Sequence, residues 1–202
     1  MKILGNENTT LSRKDLKERR EKLESLFSEM LDVMGFNYSE DPNMQGTPRR
    51  MAKMYMNELF TGCFSKAPKF TVFPNTKKVD EMVYLRNIKV TSMCSHHFMP
   101  FIGVAHIAYV PDKKVCGVSK LSRVVRHFAR RPQIQEELTA QILVYLQEAL
   151  QPKGIMCIIE AQHMCMSVRG VNEPETSMGT SRISGVFKKD EVRQEFLSLL
   201  KH

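Results

Sequence analysis

Tryptophan is absent from this 202-residue chain, and aromatic residues make up only 8% of it. No aromatic run lies beside a basic patch, so the stacking platform that single-stranded nucleic acid requires is missing. No stretch of about 18 apolar residues occurs, which excludes a membrane-spanning helix. The stretch Met1 to Arg13 is polar and lacks the apolar core of a secretory signal, so the chain is expected to stay in the cytoplasm, with neither a membrane nor a nucleic acid as partner. Cysteine is sparse: Cys63, Cys94, Cys116, Cys157 and Cys165 are unclustered and odd in number. Without an export signal they argue against a disulfide framework, and a thiol that matters here is a metal ligand or a nucleophile.

Several nucleotide and metal motifs are missing too. There is no His-Glu-x-x-His, and no His-x-Glu paired with Cys-x-x-Cys, which argues against a nucleobase deaminase. No Gly-x-x-x-x-Gly-Lys loop exists to cradle phosphates with backbone N–H groups. The formal net charge is nevertheless +8, which points to an anionic partner such as a phosphorylated small molecule. Side chains must then supply the cations. The candidates are Lys120 and Arg123 at a helix start, Arg169, and Arg50 with Lys53, which lie three apart on one helix face. A helix N-terminus at Ser119 would add oriented N–H groups.

The apolar spacing gives a coarse architecture. Residues 1–11 carry no apolar period and read as loose. Ser12 to Asp15 resembles a capping box, followed by Leu16, Leu23, Phe27, Met30, Leu31 and Met34 at helical spacing, with Gly35 as a stop. Thr47 reads as the N-cap and Pro48 as the first residue of a second helix that Gly62 ends. Residues 83–90 and 101–109 read as strands. Ser119 reads as the cap of a helix burying Leu121, Val124, Val125 and Phe128. After Arg131-Pro132 comes a longer helix with Ile134, Leu138, Ile142, Leu146 and Leu150. Residues 155–168 read as a last long strand, and the tail from Val186 to Leu200 as a short helix. The order implies an α+β fold, with paired helices on one face of an antiparallel sheet and residues 1–46 as a helical appendage to a main domain spanning 47–202.

The densest polar cluster is Cys94-Ser95-His96-His97. Cys and His are the favoured zinc ligands, and the Cys-x-x-His spacing lets one turn supply two of them. A third candidate comes from His163-Met164-Cys165. On a continuous strand His163, Cys165, Ser167 and Arg169 would share one face. A set of two Cys and one His leaves a fourth zinc position for water, the catalytic rather than the structural arrangement. Cys63, Cys116 and Cys157 read instead as small buried hydrophobes.

Four stretches together resemble GTP cyclohydrolase I. They are Cys94 to Phe101, Gly117 to Arg123, Arg131 to Thr139 and His163 to Gly170. Thr47 to Tyr55 resembles an early helix of that family, and the match runs from about residue 40 to the C-terminus. Position by position, the resemblance implies Cys94, His97 and Cys165 as zinc ligands and His96 and His163 as catalytic histidines. It implies Gln135 and Glu136 as the guanine-recognising pair, and Ser119, Lys120, Arg123 and Arg169 as triphosphate contacts. Arg50 and Lys53 match further phosphate contacts contributed by a neighbouring subunit. The family's tunnelling fold joins small sheets from several chains into a barrel, usually in a homodecamer of two pentameric rings. The chain departs from the family pattern at Ser95, where Glu is usual, and at Met178, where Thr is common.

The implied reaction is zinc-dependent hydrolysis of GTP at C8 of guanine, loss of formate, and reclosure to 7,8-dihydroneopterin triphosphate. Zinc lowers the pKa of water toward about 7, His163 manages the proton on the ring nitrogen, and His96 is a second acid/base. Two rivals are a zinc-stabilised RNA-binding module and a tunnelling-fold synthase or reductase. The first would need a closed four-ligand site and exposed aromatics, the second other motifs.

Overall fold

The computed structural model describes residues 9–201; most of the stretch read as loose, residues 1–8, lies outside them. The chain divides into two compact units, Met1–Lys66 and Ala67–His202.

In the first unit, helix α1 (Arg13–Val33) begins at the anticipated box. The Ser12 hydroxyl accepts from the Asp15 N–H at 3.1 Å, and the Asp15 carboxylate accepts from the Ser12 N–H at 3.1 Å. This reciprocal pair satisfies backbone donors that a helix start otherwise leaves open. Past Met34 the chain reverses at Gly35, in the left-handed conformation with φ 79°. Helix α2 (Thr47–Met54) has Gly46 rather than Thr47 at its N-cap. The Thr47 hydroxyl is occupied otherwise, accepting from Arg50 Nη2 at 2.6 Å. Gly62 does not end the helix either. A wider π-turn (Tyr55–Leu59), closed by the Phe60 N–H on the Tyr55 carbonyl at 3.0 Å, leads into a short α3 (Thr61–Phe64) that contains Gly62.

The second unit is built on a five-stranded sheet in the order β5-β2-β3-β6-β7. Its strands are β2 (Val83–Cys94), β3 (Pro100–Val110), β5 (Pro132–Gln133), β6 (Gly154–His163) and β7 (Ser177–Gly185). All neighbours are antiparallel except the short β5–β2 pair, which is parallel. A separate two-stranded ribbon pairs β1 (Val72–Pro74) with β4 (Lys114–Cys116). Along the central strands, alternate residues such as Ala105, Ile107, Ile155, Cys157 and Ile159 turn to one face. There they meet Leu121, Val124, Val125 and Phe128 of α4 (Val118–Ala129), and Leu138, Ile142, Leu146 and Leu150 of α5 (Gln135–Leu150). This is the expected helix pair on one face. The opposite face carries a second, smaller core. Ala108, Met156 and Ile158 pack with Phe187 and with Phe196 of α7 (Asp190–Leu200). The tail helix thus closes part of the face that the sequence pattern left open.

Two local details differ from the reading. Gly117, not Ser119, is the N-cap of α4, because the helix starts at Val118, two residues earlier than a Ser119 cap implies. The last long strand stops at His163, and Met164–Ser167 coil into a single helical turn, α6. One close approach secures the centre of the sheet. A Cβ on Gly103 would lie 1.9 Å from the Glu160 carbonyl oxygen, so only glycine lets β3 and β6 run together there. No helix among the described residues is long and apolar enough to cross a membrane.

Candidate functional site

Three chain segments meet where β2, β5 and β6 end. Strand β2 delivers Cys94, and the chain then folds into a tight loop. The Cys94 N–H donates to the Met99 carbonyl at 2.9 Å, and the Phe98 N–H donates back to the Cys94 carbonyl at 2.9 Å. Phe98 takes a left-handed φ of 50°. Cys94 is buried, while His96 and His97 on the loop are exposed. Strand β5 pairs Gln133 with Cys94, and the chain passes directly from it through Ile134 into α5. That connection sets Gln135 and Glu136, the first residues of α5, beside Cys94. Strand β6 ends at His163, paired with Phe101 at the start of β3, and α6 then brings in Cys165.

The result is a cavity of about 490 Å³ whose lining includes Cys94, His96, His97, Gln135 and Glu136. His163, Cys165 and Arg169 complete the set of anticipated residues around it. The Cys94 and Cys165 sulfurs and one ring nitrogen of His163 all lie within 4.8 Å of one another. His96 Nδ1 is 3.6 Å from Cys94 Sγ. His97 Nε2 instead meets Arg169 Nη1 at 3.1 Å; a guanidinium only donates, so this nitrogen accepts. Burial raises the Cys165 thiol above its ordinary pKa, and the adjacent Cys94 adds to the rise. Burial holds His163 below the usual imidazole value, partly offset by the Glu136 carboxylate. Two thiols and an imidazole at this separation form a soft donor set, the kind that suits zinc.

Cys165 does not reach the site by strand alternation as expected. In α6 the turn itself carries it there, and Ser167 is buried, its hydroxyl donating to the His163 carbonyl at 3.0 Å. Ser119, Lys120 and Arg123 lie on the first turns of α4 and do not line this cavity. Arg50 and Lys53 belong to the first unit. Arg50 donates there to the carbonyls of Gln45 at 2.7 Å and Asn43 at 3.2 Å, and Lys53 is exposed. Of the remaining thiols, Cys63 and Cys157 are buried, and burial pushes the Cys157 thiol up to about 12.

Sequence reasoning missed three contributors. The Phe101 ring stacks on His163, with centroids 4.8 Å apart and planes 10° apart. Met178 and Thr180 of β7 both touch Gln135. Strand pairing produces these contacts, and no local pattern signals them.

Comparison with known proteins gives a consistent result. The family model described as GTP cyclohydrolase I matches residues 23–201. A GTP cyclohydrolase 1 of Aeromonas hydrophila subsp. hydrophila is 44% identical over 189 residues, covering 93% of this chain and 86% of the relative. One from a Sulfurihydrogenibium species is 45% identical over 185 residues, covering 90% and 95%. Among solved structures, the apo form of an archaeosine synthase QueF-Like covers 52% of this chain and 93% of its own. It does so at 16% identity and a TM-score of 0.44, a likeness too weak to bear on function.

Proposed function

The chain belongs to the GTP cyclohydrolase I family of enzymes, and from that premise we propose that it converts GTP and water to 7,8-dihydroneopterin triphosphate and formate. Water adds at C8 of guanine, the imidazole ring opens, a second hydrolysis frees formate, and the rearranged ribose recloses the ring with loss of water. The observation that carries this reading is the convergence of two thiols, three imidazoles, a carboxylate and a guanidinium on one cavity. We assign this chemistry to residues 47–202, with 1–46 as a helical appendage.

Cys94, His97 and Cys165 are the proposed zinc ligands. Zinc held there supplies Lewis acidity that activates water at neutral pH. A ring nitrogen of His163 lies within 4.8 Å of both sulfurs, whereas His97 sits on the exposed loop and would reach a metal by turning away from Arg169. Single substitutions separate the two roles. Zinc lost in His97→Ala and kept in His163→Ala fits this ligand set; the reverse puts His163 in the coordination shell.

With its pKa depressed by burial, His163 is neutral at pH 7 and accepts a proton in the ring-opening step. His96 is the second acid/base. Gln135 and Glu136 form the guanine subsite at the start of α5. The Glu136 carboxylate accepts from the two N–H groups on the guanine edge, an arrangement adenine does not offer. Ser119, Lys120, Arg123 and Arg169 hold the triphosphate, with Arg50 and Lys53 reaching in from a neighbouring subunit. Among the cations of the second unit, Arg169 lines the cavity and Lys120 and Arg123 do not. That supports a site completed between copies, as in a barrel-forming tunnelling-fold homodecamer working in the cytoplasm.

The test is incubation of the purified, zinc-loaded protein with GTP or ATP, followed by oxidation. Pterin fluorescence should appear with GTP and not with ATP. A protein with full zinc content that gives no fluorescence from GTP does not have this activity.

A further inference from the structure

We infer that Gln135 is a positioning residue: its side chain fixes His163 as the Nε2–H tautomer and leaves Nδ1 as the ring's only acceptor. The inference rests on the reading of His163 as the proton carrier. It gives Gln135 a task other than touching guanine through its side chain.

The Gln135 side chain is fully buried. Its amide nitrogen lies 3.0 Å from the Ile159 carbonyl oxygen and 2.9 Å from the Met178 carbonyl oxygen. Backbone carbonyls only accept, so both contacts require the NH₂ end of the amide. A flipped amide would set its oxygen against two carbonyl oxygens in a buried place, leaving acceptors unpaired and mutually repelled. The third contact of the nitrogen, Thr180 Oγ1 at 3.1 Å, closes the assignment. The Thr139 hydroxyl spends its one proton on the Gln135 backbone carbonyl at 2.8 Å. The Thr180 hydroxyl must therefore donate to Thr139, 2.7 Å away, and it turns only a lone pair toward the Gln135 NH₂, whose two hydrogens are shared among the three acceptors.

The amide oxygen is then forced toward His163, whose Nε2 lies 2.9 Å from it. An amide oxygen only accepts, so Nε2 carries the proton. The Phe101 ring stacked on His163 holds the imidazole in plane with this bond. A neutral imidazole has one donor and one acceptor nitrogen, which leaves Nδ1 as the acceptor. The carbonyls of β6 and β7 thus decide, through one amide, which histidine nitrogen is basic. Recognition of guanine at the start of α5 falls to the Glu136 carboxylate and to backbone groups.

The test is solid-state ¹⁵N NMR of the whole histidine-labelled protein at pH 8 without GTP, the His163 signals being identified by their absence in His163→Ala. The wild type should show a protonated Nε2 and an unprotonated Nδ1. The Nδ1–H tautomer, or a mixture, overturns the inference without need of any buried substitution. Gln135→Met removes the acceptor and should give mixed tautomers, with kcat reduced about 10²-fold or more and by a larger factor than the affinity for GTP. A Met variant that keeps the single Nε2–H tautomer, or one that loses only GTP affinity, overturns the inference. Failure of the wild type to release formate would instead overturn the proposed reaction and leave the tautomer measurement standing.

Discussion

The two sides of the cavity are built in different ways. On the side formed by β6, β7 and the start of α5, polar atoms are committed before any ligand arrives. Gln135 is anchored by two carbonyls and a hydroxyl, and His163 is clamped between that amide and the Phe101 ring. On the side formed by residues 95–98, the imidazoles of His96 and His97 are exposed, and His97 accepts from the exposed Arg169. The comparison teaches a division of labour. The imidazole proposed to carry the proton is preorganised by the sheet, whereas the loop side is free to settle around the proposed metal and substrate.

The largest effect expected is at the thiol that links the two sides. Cys165→Ser should lose zinc and drop turnover to background while keeping the fold, read by metal analysis, formate release and circular dichroism. A variant with full zinc occupancy would remove Cys165 from the ligand set. On the preorganised side, His163→Ala should lose about 10² to 10⁴-fold in kcat, the range for a general acid/base, while still binding GTP. Near-normal turnover would place the proton transfer elsewhere. At the exposed rim, Glu136→Gln keeps the shape but can accept at only one atom. GTP affinity measured by calorimetry should fall about 10- to 100-fold, the worth of hydrogen bonds to a charged group. Unchanged affinity would exclude the carboxylate from guanine recognition.

The smallest effect concerns a histidine on α4 that does not line the cavity. His127 accepts from Arg131 Nη2 at 3.2 Å, and burial, with Arg131 adding to it, pushes its pKa down to about 4. An unfolded imidazole takes up its proton near 6.5, at about the ordinary histidine value. Between those two values the unfolded chain binds more protons, so this contribution to stability is intact above about pH 6.5 and is lost as the pH falls toward 4. His127→Phe should lose less in Tm between pH 7 and pH 5 than the wild type does. Parallel pH curves for the two proteins would contradict the assignment.

What the sequence made legible was local. The capping box at Ser12 and Asp15 depends on residues three apart, and it forms as read. The helix pair α4 and α5 follows from apolar spacing, and the Cys-Ser-His-His turn announces itself. The misreadings came where a distant partner decides. The period-two pattern past His163 looked like strand, but α6 coils there, and Ser167 bonds back to the His163 carbonyl. Thr47 lost its place as cap because its hydroxyl pairs with Arg50. Gln135 was legible as a residue of the site, and only the pairing of β6 with β7 shows the carbonyls that hold its amide. Most of the site's residue types were therefore readable, while the bonds that orient them were not.

The account rests on one chemical event at this cavity, so its most direct test is the stoichiometry of product formation. Purified protein carrying about one zinc per chain should release one formate for each GTP consumed, with an equal amount of pterin triphosphate formed. GTP consumed without formate, or GTP left intact by fully loaded protein, would contradict it.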